Sequence, residues 1–182
     1  MVDDATENSP EGNEGTSRSL NVTWSDPMDA LRMAVGLSRD QLLAAFTSES
    51  FPKPPIASLL GFDVLEAKPG EIVIGLTPKE YHCNAIGVVA AGVTATVLDA
   101  AMWLAIQTAV PENTLTSTVN LNLHLVRQLS PASGDVRATA HAVHAGRSTG
   151  TAEARVEDES GKLYAHATAG FVVITPPADA GG

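Results

Sequence analysis

One cysteine, Cys83, stands in a chain of 182 residues. That excludes an intramolecular disulfide framework and a zinc site built from several thiolates. Aromatic residues make up only 4% of the chain against 44% hydrophobic residues overall, so the core is built from Ala, Val, Leu and Ile. Bases are scarce too: 11 Lys and Arg face 21 Asp and Glu, for a formal charge of -10. This balance argues against a nucleic-acid partner, whose affinity rests on neutralising phosphates with basic side chains. Two glycine signatures are missing as well. Neither G-x-G-x-x-G nor G-x-x-x-x-G-K-[ST] occurs, so nothing argues for a dinucleotide or P-loop site.

What charge there is lies unevenly. Residues 1–26 hold six acids and one base, Arg18, and carry half of the net charge. Rich in Glu, Asn, Ser and Gly, this stretch cannot bury enough surface to order itself and reads as a disordered acidic tail. It lacks a basic start followed by an apolar run, so it reads as no secretory signal, and cytoplasm is the expected location. Residues 27–174 are expected to form one domain. Residues 175–182 read as a second disordered tail.

Hydrophobic spacing gives the order of elements. Met28, Leu31, Val35, Leu42, Leu43 and Phe46 predict a helix over Pro27–Phe46 with Asp26 as N-cap, and 51–55 (FPKPP) breaks the chain after it. Ile56–Leu60 predicts a short helical turn, and Phe62–Leu76 two strands around Lys68-Pro69-Gly70. One long helix follows over Ala90–Val110, then strands at Thr114–Leu129, Val136–Ala145, Thr149–Glu157 and Leu163–Ile174. In the first of these, Leu115, Val119, Leu121, Leu123 and Leu125 share one parity and predict a buried face opposite a polar one. The expected fold class is α+β: an antiparallel sheet wrapped around one long central helix.

Between Tyr81 and Pro111 the only charged residue is Asp99. A helix apolar nearly all round is buried in protein or spans a membrane, and the β-rich surroundings with mid-segment Asp99 favour burial. An unpaired carboxylate there costs several kcal/mol or answers with a raised pKa, so Asp99 is either a structural residue hydrogen-bonded to its surroundings or a catalytic one. Asn84 and Gly87 mark the loop entering this helix, and Ala90, Ala91 and Gly92 form its first turn. Small residues there leave backbone N–H groups open to a ligand oxygen, helped by the helix dipole. A polarising helix start and a carboxylate two turns later are the parts needed to hydrolyse an acyl group with water.

The run Asn84-Ala85-Ile86-Gly87-Val88-Val89-Ala90-Ala91-Gly92, followed by Leu98-Asp99, resembles the hotdog-fold acyl-CoA thioesterases of the PaaI-like group. Their pattern is N-x-x-G-x-x-H-G-G, then L-x-D or L-D at the same spacing. The resemblance extends over about 55–174 and includes 121–127 (LNLHLVR) and 143–147 (VHAGR). The family's His and first Gly fall at Ala90 and Ala91 here. The resemblance implies hydrolysis of an acyl-CoA thioester to a carboxylic acid and CoA. In that reading Asp99 is general base or nucleophile, the Ala91 N–H with Asn84 polarises the carbonyl, and Thr118 (or Ser117) positions water from the facing subunit. It also implies sites formed between protomers of a homodimer or homotetramer, with no cofactor beyond the CoA of the substrate. The departures at Ala90 and Ala91 motivate the alternative of a non-catalytic acyl-CoA binding protein on the same fold.

Other motifs read more plainly. Gly146-Arg147-Ser148-Thr149-Gly150 matches G-x-S-x-G, but a nucleophile elbow needs a strand-to-helix turn in a doubly wound sheet. The stretch suits better a turn whose Arg147 and Ser148 meet CoA phosphates. His141 and His144, three apart on a strand, point to opposite faces unless the strand is bulged there. No metal is expected. Met102 and Trp103, just past Asp99, are candidate acyl-pocket residues, with packing in the core expected for at least one.

Overall fold

The computed structural model describes residues 17–175. Its longest element, α4 (Ala91–Ala109), is built largely from Ala, Leu and Val and carries no glycine after Gly92. It stops where Pro111 pushes Val110 into an extended conformation (φ -73°, ψ 166°). Thr94, Val97, Leu98, Ala101, Met102 and Ala105 lie on its buried face at the spacing of a single helical stripe. Before it come α1 (Asp29–Ala34), α2 (Arg39–Phe46) and α3 (Pro55–Leu60).

Six strands receive that stripe: β1 (Phe62–Lys68), β2 (Glu71–Leu76), β3 (Leu115–Leu125), β4 (Val136–Ala145), β5 (Thr149–Asp158) and β6 (Leu163–Ile174). They form one antiparallel sheet in the order β1-β2-β4-β5-β6-β3. The connection through α4 carries the chain to the far edge, where β3 pairs with β6 alone among the described residues. Ala138, Ala140, Ala152, Ala154, Ala165 and Ala167 floor the inner face and are almost wholly buried. Methyl groups there let the helix lie close to the sheet. At Gly150 the contact is backbone to side chain, since a Cβ would sit 3.0 Å from Ile106 Cγ2. The scarcity of aromatics is the compositional side of the same close approach.

Three expectations change. The helix expected over Pro27–Phe46 is two helices, because Gly36 takes a left-handed φ of 84° and Ser38 starts α2 afresh. Ser38 and Gln41 form a reciprocal capping box there. Asp26 is not the N-cap of α1; Met28 is, and the Asp26 carboxylate accepts the Met28 N–H at 2.9 Å one step earlier. The buried face of β3 also differs. A bulge at Val119, between the Thr118–Phe171 and Asn120–Gly170 pairs, switches parity along the strand. Before it Thr116 and Thr118 face α4; after it Leu121 and Leu123 do, while Leu115, Val119 and Leu125 are exposed. A single alternation cannot describe a bulged strand.

The β4 strand is bulged as well, at Val143, which puts His141 and His144 on the same outer face after all. Among the described residues, no three His, Cys, Asp or Glu side chains gather as a metal site. Of the two expected tails, 1–16 and 176–182 lie outside the described residues. Residues 17–26 have no helix or strand, and Arg18 pairs with Glu80 at 2.8 Å. Among the described residues no helix is long and apolar enough to cross a membrane.

Candidate active site

The loop entering α4 is held by its own asparagine. Asn84 Oδ1 accepts the N–H groups of Ile86 (3.0 Å) and Val88 (3.4 Å), while the Asn84 N–H donates to the Val88 carbonyl (2.8 Å). Gly87 closes this turn at φ 78°, a left-handed conformation that favours glycine. The far side is tied down by Val89 N–H to the Leu129 carbonyl (2.8 Å) and Ala90 N–H to the His82 carbonyl (2.9 Å). Ala90 therefore arrives as an N-cap with no capping side chain. Among the described residues, no acceptor meets the N–H groups of Ala91 and Gly92. Both residues are exposed, and nothing lies within 4 Å of where a Gly92 Cβ would be. Two free donors at the positive end of a 19-residue helix can donate to an anionic oxygen.

Beside them opens a cavity of about 290 Å³. Asn84, Ala91, Leu125, Val126, Arg127 and Tyr164 are among its lining residues. Its walls are mainly apolar, with Arg127 at hand, whose guanidinium also donates to the Leu163 carbonyl.

Asp99 is half-buried two turns further along α4, on the side facing β3. The Thr118 hydroxyl donates to its Oδ1 at 2.9 Å. Thr118 shares the inward parity of Thr116, and the bulge at Val119 follows directly after it. Thr118 meets Asp99 within one chain, not from a facing subunit. Ser117, the neighbouring candidate, is exposed and points the other way. One face of α4 thus presents a carboxylate already hydrogen-bonded through one oxygen, and its start presents the donors.

These two halves do not meet. Eight residues separate Ala91 from Asp99, about 12 Å along the axis and about 80° around it. A carbonyl oxygen bound at Ala91 is out of reach of the carboxylate on the same helix. Arg147 and Ser148 are farther still. They sit exposed on the β4–β5 turn, next to Gly150, which packs on Ile106 near the opposite end of α4. The same turn disposes of the G-x-S-x-G match, because a strand follows it and no helix. Met102 is wholly buried in the core, whereas Trp103 is half-buried one turn beyond Asp99 and donates its indole N–H to the Thr116 carbonyl (2.9 Å).

Sequence reasoning missed two groups. His82 is 2% exposed, holds the helix start through its carbonyl, and accepts the Lys79 N–H at Nδ1 (3.0 Å). That fixes the Nε2–H tautomer, and Nε2 has no partner within hydrogen-bond geometry among the described residues. Burial pushes the imidazole below its ordinary value, against the pull of the Leu60 carbonyl. The other missed residue is Gln107, whose amide bonds Thr114 and Thr116 at its two ends.

Residues 86–165, spanning α4 through the start of β6, match the thioesterase superfamily. A Halobacterium salinarum protein that carries an esterase name is 34% identical over 104 residues, 56% of this chain and 68% of that protein. This chain belongs to the thioesterase superfamily. Its hotdog, PaaI-like character is evident in solved structures. A point mutant of the phenylacetic acid degradation protein PaaI of Thermus thermophilus is 29% identical, with a TM-score of 0.59 over 65% of this chain and 97% of that one. A thioesterase family protein of Silicibacter pomeroyi, 22% identical, shares the fold at a TM-score of 0.66 over 73% of this chain and 98% of that one. In this thioesterase-superfamily chain the matched region contains Ala91, Asp99 and Thr118.

Proposed function

We propose that the protein hydrolyses an acyl-CoA thioester to a carboxylic acid and CoA, in sites shared by two copies of the chain. Thioester hydrolysis is the activity that membership of the superfamily supports. The observation that carries the finer reading is the pairing of two complementary halves too far apart to serve one carbonyl within a protomer. The free Ala91 N–H, with Asn84 beside it in the cavity, polarises the thioester oxygen. Asp99 of the second copy, its Oδ1 held by Thr118, takes a proton from water through its other oxygen. The hydroxide formed adds to the carbonyl carbon, the C–S bond breaks as the tetrahedral intermediate collapses, and the thiolate leaves as CoA after gaining the proton. Direct attack by Asp99 would instead pass through an anhydride, and where water opens it at the Asp99 carbon a single turnover in ¹⁸O-water leaves label in Asp99.

The edge strand supports the second copy. β3 is an eleven-residue edge strand whose alternate residues turn their backbone donors and acceptors to the free side, with Leu115, Val119 and Leu125 exposed on it. A long apolar edge is a template for pairing with its own kind about a two-fold axis. Antiparallel β3–β3 pairing runs the two α4 helices in opposite directions, so the start of each lies toward the middle of the other. The same arrangement would bring a neighbour's Arg147 and Ser148 within range of a CoA tail that leaves the cavity.

Release of thiol from acetyl-, hexanoyl-, palmitoyl- and phenylacetyl-CoA tests the reading, with Asp99→Asn as the control. We expect turnover of at least one thioester and a loss of about a hundredfold or more in Asp99→Asn, which keeps the shape but cannot accept the proton. Binding of these thioesters without turnover would establish the non-catalytic alternative. Asp99→Asn activity within a few-fold of the parent would overturn the mechanism.

A further inference from the structure

Three hydrogen-bonded rungs join α4 to the first half of β3. Gln107 Nε2 donates to the Thr114 carbonyl at 2.7 Å, and Gln107 Oε1 accepts the Thr116 hydroxyl at 2.9 Å. Trp103 Nε1 donates to the Thr116 carbonyl at 2.9 Å. Thr118 donates to Asp99 at 2.9 Å. Helix residues 107, 103 and 99 are each one turn apart, and strand residues 114, 116 and 118 are each two apart. Four helical residues rise about 6.0 Å and two strand residues about 6.8 Å, so helix and strand stay in step for three rungs. They cannot stay in step further, because the bulge at Val119 reverses the strand's parity just past Thr118.

We infer that Gln107 and Trp103 are positioning residues for the reaction, acting on Asp99 through Thr118; this rests on the acyl-CoA hydrolase reading above. The argument is geometric. Within its own chain Thr118 lies on a strand paired on one side only, directly before an irregularity that weakens that pairing. Its hydroxyl direction therefore depends on what holds residues 114–116 against the helix. Gln107 uses its donor on Thr114, just before β3, and its acceptor on Thr116 within it, which sets both the distance and the register. The indole N–H fixes the carbonyl two residues before Thr118. With the strand held, Thr118 gives its single proton to Oδ1, and Oδ2 faces the reacting water.

The test uses the full-length protein, assayed with hexanoyl-CoA and phenylacetyl-CoA, and the variants Gln107→Met, Trp103→Phe, Thr118→Val and Thr118→Ser. Gln107→Met and the Thr118 variants change hydrogen bonding with little change in volume, while Trp103→Phe removes the indole N–H together with part of the ring system. We expect Gln107→Met and Trp103→Phe to lower kcat about five- to fiftyfold with KM nearly unchanged, since misplacement by a fraction of an ångström acts on the reacting geometry. Thr118→Val should lose at least as much, and Thr118→Ser, which restores the hydroxyl, should recover most of it. The deciding result is the double variant. Gln107→Met in the Thr118→Val background should cost no more than about twofold further, because residues acting through one group are not additive. An equal loss in both backgrounds would mean a merely structural role and overturn the inference. So would parental kcat in Trp103→Phe, which keeps an aromatic ring and decides the matter if Gln107→Met does not assemble. Full activity in Asp99→Asn marks failure of the hydrolase reading itself; an inactive Asp99→Asn beside unaffected Gln107 and Trp103 variants marks failure of this inference alone.

Discussion

At the scale of single residues, the two departures from the family pattern fall at the start of α4, where the mechanism proposed above uses the Ala91 main-chain N–H. Ala91 is the first residue of α4, its N–H has no acceptor among the described residues, and Ala90 before it is already extended (φ -61°, ψ 140°). Proline suits that position on every count except the missing donor. Ala91→Pro should therefore fold and assemble like the parent by circular dichroism and size-exclusion chromatography, yet lose turnover about a hundredfold; retained turnover would put the oxyanion donor elsewhere. His82 gives a second residue-scale expectation. The folded imidazole is held below its ordinary value of 6.5 by burial. The unfolded chain thus binds the proton more readily, so this contribution to stability is complete above about pH 6.5 and fades as the pH falls. Asp158, held at about 2 chiefly by the Ser160 hydroxyl, acts in the same direction lower down, its contribution being lost as pH falls from 3.8 toward 2. Melting temperature should drop between pH 7 and 5, and His82→Gln should flatten that slope; an unchanged slope would mean another group sets it.

At the scale of elements, α4 is served at both ends by segments outside the sheet. Its start rests on the 82–90 loop. Its end rests on α2, where Arg39 Nη2 donates to the Val110 carbonyl at 2.8 Å and the Arg39 N–H donates to Glu112 at 3.2 Å. A cation at a helix C-terminus meets the negative end of the dipole and an orphan carbonyl together. Arg39→Leu should cost about 1 kcal/mol, a fall of about 2–4 °C in Tm for a domain of this size, with kcat unchanged. A larger effect on kcat than on Tm would show that α2 reaches the active site.

At the scale of the whole molecule, the separation of Ala91 from Asp99 makes a numerical forecast. If each site takes Ala91 from one copy and Asp99 from the other, an Asp99→Asn/Ala91→Pro heterodimer has one intact site and one doubly damaged site. Random mixing of two inactive variants by co-expression makes half the dimers mixed, so about a quarter of parental activity should return. No recovery from verified heterodimers would mean that each chain carries its whole site.

Much of this protein was written in local pattern. The long helix, five of the six strands to within a residue or two, and the loop from Asn84 to Gly92 are periodic or glycine-marked, and such signals act over a few residues. The lone charge of Asp99 was equally visible, because one carboxylate in an apolar run stands out without any structure. Other features depended on chain segments far apart in sequence. The Val119 bulge exists because β3 must satisfy β6 on one side and α4 on the other. It lets Thr116 and Thr118 keep one parity toward α4, with Thr118 on Asp99 of the same chain, while Leu121 and Leu123 turn inward beyond it. The burial of His82, the two-ended bond of Gln107 and the distance between Arg147 and Ala91 likewise arise only when the helix is laid across the sheet. Periodicity assigns residues to faces; where a strand serves two partners whose spacings differ, the packing decides which face a residue keeps.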